Sequence, residues 1–224
     1  MRTLIASLMI ATLTACAADP GEGKPKAKVE DVPAAKAPPA APAAPAAPAA
    51  PAAPAAAPAG DKFTVDAASS KIEALGAKIT AQHPIKFKDF TGNLIVNAGQ
   101  IAQVSYEVKM ATLEADAAKL TEHLLTPDFF DVAKFPTATF KSTEIKTGST
   151  EAGFTHTITG DFQIHGVTKR ITFPAKLEVK GDAVSASSEF VVNRKDFGLV
   201  YPGKPDDLIK DNVKITVALN AKKG

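Results

Sequence analysis

The 224-residue chain has no tryptophan, two tyrosines and one cysteine. A lone cysteine excludes an intrachain disulfide, a Cys-x-x-Cys redox pair and a thiolate zinc cage. Neither charge sign dominates, with 26 Lys and Arg against 24 Asp and Glu and a mean hydropathy of zero. From residue 61 onward the balance is 21 to 20, and the two signs are interleaved. A nucleic-acid binder that works by neutralising phosphates is thereby excluded. Gly-x-Ser-x-Gly and a glycine-rich phosphate loop are also missing. The four histidines form no closely spaced ligand set, and His156 and His165, nine apart, are expected on opposite faces of a strand, so no metal site is expected.

Aromatic residues are missing from the first 62 positions, whereas nine of the 17 prolines crowd into residues 33–59 with 17 alanines and one lysine. The chain therefore divides in three. Residues 1–15 carry Arg2 and then an apolar stretch from Leu4 to Leu13, too short for the roughly 20 residues of a membrane-spanning helix, and read as an export signal. Cys16 follows Leu13-Thr14-Ala15, which resembles the lipobox of bacterial lipoproteins. The resemblance implies diacylglyceryl transfer to the Cys16 thiol, cleavage before Cys16 and acylation of the new amine. More than one acyl chain makes anchoring stable. Ala17, in place of the aspartate that favours inner-membrane retention, points to the periplasmic face of the outer membrane.

Residues 16–60 read as a lipid-anchored, disordered tether: 19–31 are polar, and the Pro-Ala-Ala repeat at 33–59 forbids helix and favours polyproline II. At about 3.1 Å per residue that run would extend roughly 80 Å as a semi-rigid spacer. Residues 61–224 remain for one folded domain with a single sizeable core.

In that domain the dominant signal is period two. Ile171, Phe173, Ala175, Leu177 and Val179 share one face of a half-buried strand while Thr172, Lys176, Glu178 and Lys180 take the other. Val104 to Met110, Phe154 to Ile164 and Val213 to Leu219 repeat it, and weaker runs lie at 63–66, 71–80, 85–90, 93–97, 137–146 and 183–193. Turn residues such as Asn97-Ala98-Gly99 and Lys180-Gly181-Asp182 separate them. Residues 116–126 break the pattern with Ala117, Leu120 and Leu124 at helical spacing before Pro127, so one short helix is expected. Asp128-Phe129-Phe130-Asp131 follows, and its two rings must tuck into something. The class is all-β: an antiparallel sheet closed on itself, or a sandwich.

Three motifs narrow this further: His123-Leu124-Leu125-Thr126-Pro127-Asp128-Phe129-Phe130-Asp131-Val132 continuing to Lys134-Phe135-Pro136 and Phe140-Lys141-Ser142; Gly166-Val167-Thr168-Lys169 leading to Phe173-Pro174; and Asn193-Arg194-Lys195-Asp196-Phe197-Gly198. In this order and spacing they resemble the YceI-like, polyisoprenoid-binding, lipocalin-like proteins. The resemblance spans roughly 63–220. It implies an eight-stranded antiparallel barrel with one short helix, hollow, enclosing an isoprenoid lipid such as a quinone or polyprenyl phosphate. The family's opening His-Ser pair corresponds here to Ala68-Ser69-Ser70-Lys71, and His83 sits in a different context.

Eight strands can be filled by side chains or hold one small ligand. Large residues alternate with small ones on the inward faces: Phe162 with Gly160, Phe173 with Ala175, Phe140 with Ala138 and Ser142, Phe190 with Ala186 and Ser188. This leaves either a long apolar slot or the taper of a filled barrel; the family resemblance favours the slot. The candidate cavity residues are Phe129, Phe130, Phe140, Phe154, Ile158, Phe162, Phe173 and Phe190. His123 and Arg194 are the headgroup candidates, with packing for His123 and an Arg194–Asp196 ion pair as the structural alternatives. No catalytic dyad is evident. The expected function is binding of an isoprenoid lipid, for sequestration or transport, by a membrane-anchored envelope protein. A structural lipoprotein with a filled barrel is the alternative, and an enzyme acting on an isoprenoid lipid comes third.

Overall fold

The computed structural model describes residues 17–33 and 59–224; residues 1–16, where the export signal and the Cys16 lipid attachment are expected, and residues 34–58 lie outside the described residues. The strands are β1 (Lys28–Asp31), β2 (Asp61–Val65), β3 (Lys71–Ala77), β4 (Gln82–Phe87), β5 (Phe90–Asn97), β6 (Gln100–Lys109), β7 (Leu113–Ala115), β8 (Thr137–Thr147), β9 (His156–Ile164), β10 (Val167–Lys180), β11 (Ala183–Asn193), β12 (Gly203–Lys204), β13 (Asp207–Leu208) and β14 (Asn212–Lys223). One helix, α1 (Ala118–Leu125), sits between β7 and β8.

The alternating apolar faces explain why these strands close. Eight of them form a ring in the order β2-β5-β6-β8-β9-β10-β11-β14, every neighbour antiparallel, and β14 returns to β2 through Ala221–Val65 and Lys222–Thr64. The expected eight-stranded barrel with one helix is the fold observed. Earlier along its length β14 pairs instead with β3, Lys214 opposite Leu75 to Ala218 opposite Lys71, and β4 and β7 continue the wall. These three strands extend the same sheet beyond β14.

Register defines the two ends. The Ile164–Val167 hairpin, the Lys109–Thr137 pair and the Asn193–Asn212 pair mark one end, here called the mouth. The Asn97–Gln100, Thr147–His156 and Lys180–Ala183 pairs mark the base. Strand exteriors carry same-face ion pairs two residues apart, among them Lys71–Glu73, Lys146–Glu144 and Lys176–Glu178–Lys180. Apolar inside and charged outside is the reverse of a membrane-spanning barrel.

Away from the mouth chamber the barrel is filled. Tyr106 stacks on Phe140 at 5.3 Å, Phe140 tilts against Phe173 at 5.4 Å, and Phe173 stacks on Phe190 at 4.2 Å. Gly160 makes this possible, because a Cβ there would stand 2.5 Å from the Phe140 ring. The small residues expected to leave a slot instead accommodate these rings, and only about 20 Å³ remains among them. Here the taper reading is correct.

The N-terminal segment corrects the tether reading. Residues 19–31 do not lie free: β1 pairs with β10, Lys28 opposite Thr172 to Asp31 opposite Lys169, and Ala27 N–H donates to Val191 O at 2.9 Å. Val29 and Ala27 pack against the core, and Lys169 bonds Asp31 at 2.6 Å. Four residues with one buried-side valine gave no local period to read; their strand is defined by its long-range partner. β1 runs toward the mouth, whereas β2 starts at the base with Asp61 opposite Val96. The Pro/Ala run therefore connects the two ends of the barrel and does not intervene between Cys16 and the barrel.

Candidate ligand chamber

At the mouth the packing opens into a chamber of about 110 Å³. Its wall comes from Ile85 and Phe87 of β4, Val192 of β11, and Val213 and Ile215 of β14; its space comes from β3, where Ala74, Gly76 and Ala77 are small. A Cβ on Gly76 would meet nothing within 4 Å. Phe162, edge-on to Phe197 at 5.3 Å, separates the chamber from its cross-strand partner Phe140 in the filled interior.

The lid is local chemistry. Thr126 ends α1 by giving both its amide and its hydroxyl to His123 O. Phe130 N–H then bonds Leu124 O and Asp131 N–H bonds Thr126 O, with Asp131 in the left-handed region at φ 44°. That tight turn folds Phe129 and Phe130 beneath the helix, where both are 9% exposed and face the chamber with Leu120 and Leu124.

Of the expected cavity residues, Phe129, Phe130 and Phe162 line the chamber, while Phe140, Ile158, Phe173 and Phe190 belong to the filled interior. Phe154 does not share the barrel interior: it lies in the loop before β9, which starts at His156, and is half-buried outside the core, so its parity with Ile158 has no strand to act through. His165 is likewise no strand residue but a turn residue at φ 53°.

His123 packs edge-on against Phe129 and Tyr201, at 5.4 and 5.0 Å, and its Nε2 lies 3.4 Å from Asp128. It holds the lid and does not line the chamber. Arg194 does line it and is 4% exposed, but its guanidinium is engaged elsewhere. Nε donates to Lys210 O, one terminal nitrogen to Leu199 O at 2.5 Å, and the other to Ile209 O and the Asp211 carboxylate. Its ion-pair partner is Asp211, not Asp196. Burial pushes its pKa below the usual arginine value, and Asp211 opposes the shift.

A histidine outside the expected site residues also lines the chamber. His83 of β4 shares the inward face of Ile85 and Phe87, an alternation that extends one step before the run first read as a strand. Its Nδ1 stands 3.1 Å from both Asp116 carboxylate oxygens. Its Nε2 is buried and has no partner among the described residues. With Nδ1–H directed at Asp116, the neutral ring presents Nε2 as an acceptor and the protonated ring presents a donor.

A charged-outside antiparallel barrel, filled away from its mouth and opening there into an apolar chamber beneath a helical lid, is a lipocalin-like fold. The YceI-like domain model matches residues 63–221, and the chain belongs to that family. A UPF0312 protein of Pseudomonas putida (strain W619) is 32% identical over 138 residues, which cover 58% of this chain and 70% of the relative. One from Pseudomonas fluorescens (strain SBW25) is 33% identical over the same length and shares. Among solved structures, Burkholderia cenocepacia BcnA superposes with a TM-score of 0.62 at 22% identity, covering 70% of this chain and 99% of that one. A polyisoprenoid binding domain from Saccharophagus degradans, implicated in plant cell wall breakdown, gives 0.58 at 13% identity over 72% and 98%. At these identities the likeness is one of fold.

Proposed function

We propose that the protein binds an isoprenoid lipid of the quinone or polyprenyl phosphate type, its headgroup at His83 and the adjoining part of its tail in the chamber. The observation that carries this is the chamber itself: an apolar wall holding one buried nitrogen without a partner. At about 110 Å³ the space is below the roughly 300–1,000 Å³ of drug-sized pockets, so a long tail requires the Phe129–Phe130 lid or Phe162 to turn aside. Each methylene buried gains about 0.8 kcal/mol over water, but a bilayer offers the same gain. Selectivity therefore rests on the headgroup contact, and the protein sequesters or carries the lipid only where that contact outweighs the membrane's hold.

Among the described residues the chamber wall has no serine, threonine or cysteine for the His83–Asp116 pair to activate, which favours binding over nucleophilic catalysis. Cys16, directly after an export signal, anchors the chain by acylation, on this reading at the periplasmic face of the outer membrane. Mass spectrometry of an organic extract of residues 17–224, exported in a bacterial host behind a cleavable signal without the lipid-attachment cysteine and purified without detergent, tests the proposal. A stoichiometric isoprenoid is the expected result. No bound lipid, together with no uptake of added quinone or polyprenyl phosphate, would leave a structural lipoprotein as the better account.

A further inference from the structure

Among the described residues the large apolar side chains left exposed are Ile79, Val200 and Leu208, at 38, 64 and 46%. All three stand at the mouth. Ile79 lies in the turn between β3 and β4, and its N–H bonds Leu208 O at 3.2 Å. Val200 sits between Leu199, which lines the chamber, and Tyr201, which packs on Phe129 of the lid at 5.3 Å. The opening is thus ringed by side chains with no interior to fill.

The described N-terminal segment begins at the same rim. Ala17 N–H donates to Ile79 O at 2.9 Å, and the Ala17 carbonyl accepts from Lys210 Nζ. Gln82 Nε2 donates to Ala18 O at 2.9 Å, and the Asp19 carboxylate takes Asn212 Nδ2 at 3.2 Å and Gly21 N–H at 2.7 Å. One peptide bond joins Ala17 to Cys16, and consecutive Cα atoms are about 3.8 Å apart. An acyl group on Cys16 therefore starts beside Ile79, not at the far end of a long spacer.

We propose that this rim is a docking surface for a phospholipid bilayer, with Ile79, Val200 and Leu208 seated at the headgroup level and the chamber opening directly onto the membrane. The inference rests on the readings of Cys16 as an anchor and of the chamber as a lipid site. It gives that site a route: the isoprenoid passes between bilayer and chamber without its tail crossing water. A second copy or a protein partner seated on the rim would close the chamber, whereas a bilayer supplies it.

The absence of tryptophan makes the test direct. The full mature chain carrying Leu208→Trp, Val200→Trp or, in the base turn after β10, Asp182→Trp is mixed at saturating lipid with phosphatidylethanolamine–phosphatidylglycerol vesicles whose acyl chains are brominated. The indoles of the two rim variants are expected to shift to the blue and be quenched, and that of Asp182→Trp to stay unquenched. Adding Val200→Asp to Leu208→Trp is expected to reduce the quenching. Equal quenching at rim and base, or none at the rim, overturns the docking. So does a blue shift at the rim that grows with protein concentration without vesicles, which marks an interface between copies. Intact-mass measurement on the same samples reports separately whether Cys16 is acylated, so failure of the anchor reading is distinguishable from failure of the docking.

Discussion

Phe173 lies nearly flat on Phe190, ring centroids 4.2 Å apart and planes 16° from parallel, inside the barrel. Both rings are buried, Phe190 to 1% exposure, with Ala175 and Ala186 among their neighbours on the same wall. Removing one ring leaves a cavity that its stacked partner cannot fill without leaving its own rotamer. Phe190→Ala is expected to destabilise the fold by about 3–5 kcal/mol. Chemical denaturation with an unchanged slope measures it; a loss below 1 kcal/mol would mean that this interior is loosely packed and available to ligand.

Gly76 offers the opposite experiment. It lines the chamber on the face of β3 that carries Ile72 and Ala74, and a Cβ there meets nothing within 4 Å. A leucine at this position starts in open space and projects into the chamber. Replacing a strand glycine also removes unfolded-state entropy, worth about 0.4–1 kcal/mol. Gly76→Leu is therefore expected to keep or raise the melting temperature while losing co-purified isoprenoid. Retained ligand in a folded Gly76→Leu protein would place the binding site elsewhere.

The His83 contact can be separated from the volume of the ring. His83→Phe keeps a planar side chain against Ile85 and Phe87 but removes the nitrogen that faces the chamber. Loss of one hydrogen bond to a polar headgroup is worth about 0.5–1.5 kcal/mol. A quinone or polyprenyl phosphate is expected to bind several-fold more weakly, and a headless isoprenoid hydrocarbon equally well or better. Parallel weakening of both ligands would assign His83 a packing role instead.

The closed sheet was legible because each strand buries one face, and a period of two survives any choice of partner. Ile171 to Val179 and Val213 to Leu219 occupy β10 and β14 as the alternation requires. Three features were not legible, each for a nonlocal reason. β1 contains Lys28, Val29, Glu30 and Asp31, and it becomes a strand only because β10 offers it a ladder. The division into filled interior and open mouth depends on ring volumes meeting across the barrel, so Gly160 reads as slot-forming in sequence but lies under Phe140 in space. Arg194 stood beside Asp196 in sequence, yet its partners Leu199, Ile209, Lys210 and Asp211 arrive from the chain that returns over the mouth. His83 carried a signal, its parity with Ile85 and Phe87, that a run started two residues earlier would have included.

Arg194 is expected to tolerate no conservative change. Its planar fork serves three carbonyls and one carboxylate at once, and a lysine ammonium can satisfy at most three acceptors and not in that geometry. Arg194→Lys leaves carbonyls of the 199–210 segment without donors at the mouth, and Arg194→Ala additionally strands Asp211. Breaking a buried pair in this way costs about 3–5 kcal/mol. Asp211 is 41% exposed, so water offsets part of that and the lower end is expected for Arg194→Ala. Thermal unfolding measures the loss, and hydrogen exchange of the Leu199 and Ile209 amides, which bond Arg194 O and Pro202 O, shows whether it begins at the mouth.

Acid should release the N-terminal segment before it unfolds the barrel. Glu189 of β11 bonds Lys24 Nζ at 2.6 Å and Lys214 Nζ at 3.2 Å, and the Lys24 bond foremost holds its carboxyl below the ordinary glutamate value of 4.5, partial burial opposing the shift. Lys169 lowers Asp31 in the same sense, chiefly through its hydrogen bond. Because both folded-state values are depressed, their contribution is fully present above the ordinary carboxylate range and is lost as the pH falls through the lowered values. The two carboxylates tie residues 17–33 to β11 through Lys24 and to β10 through Asp31, so the loss is local. The Ala27 and Val191 amides, which pair the segment with β11, are expected to lose hydrogen-exchange protection on acidification earlier than the Phe162 amide in the β8–β9 ladder. Glu189→Gln should weaken the segment at neutral pH and flatten this pH dependence. Protection that falls in step across the segment and the ladder would show that the segment is held by its backbone pairing and not by these charges.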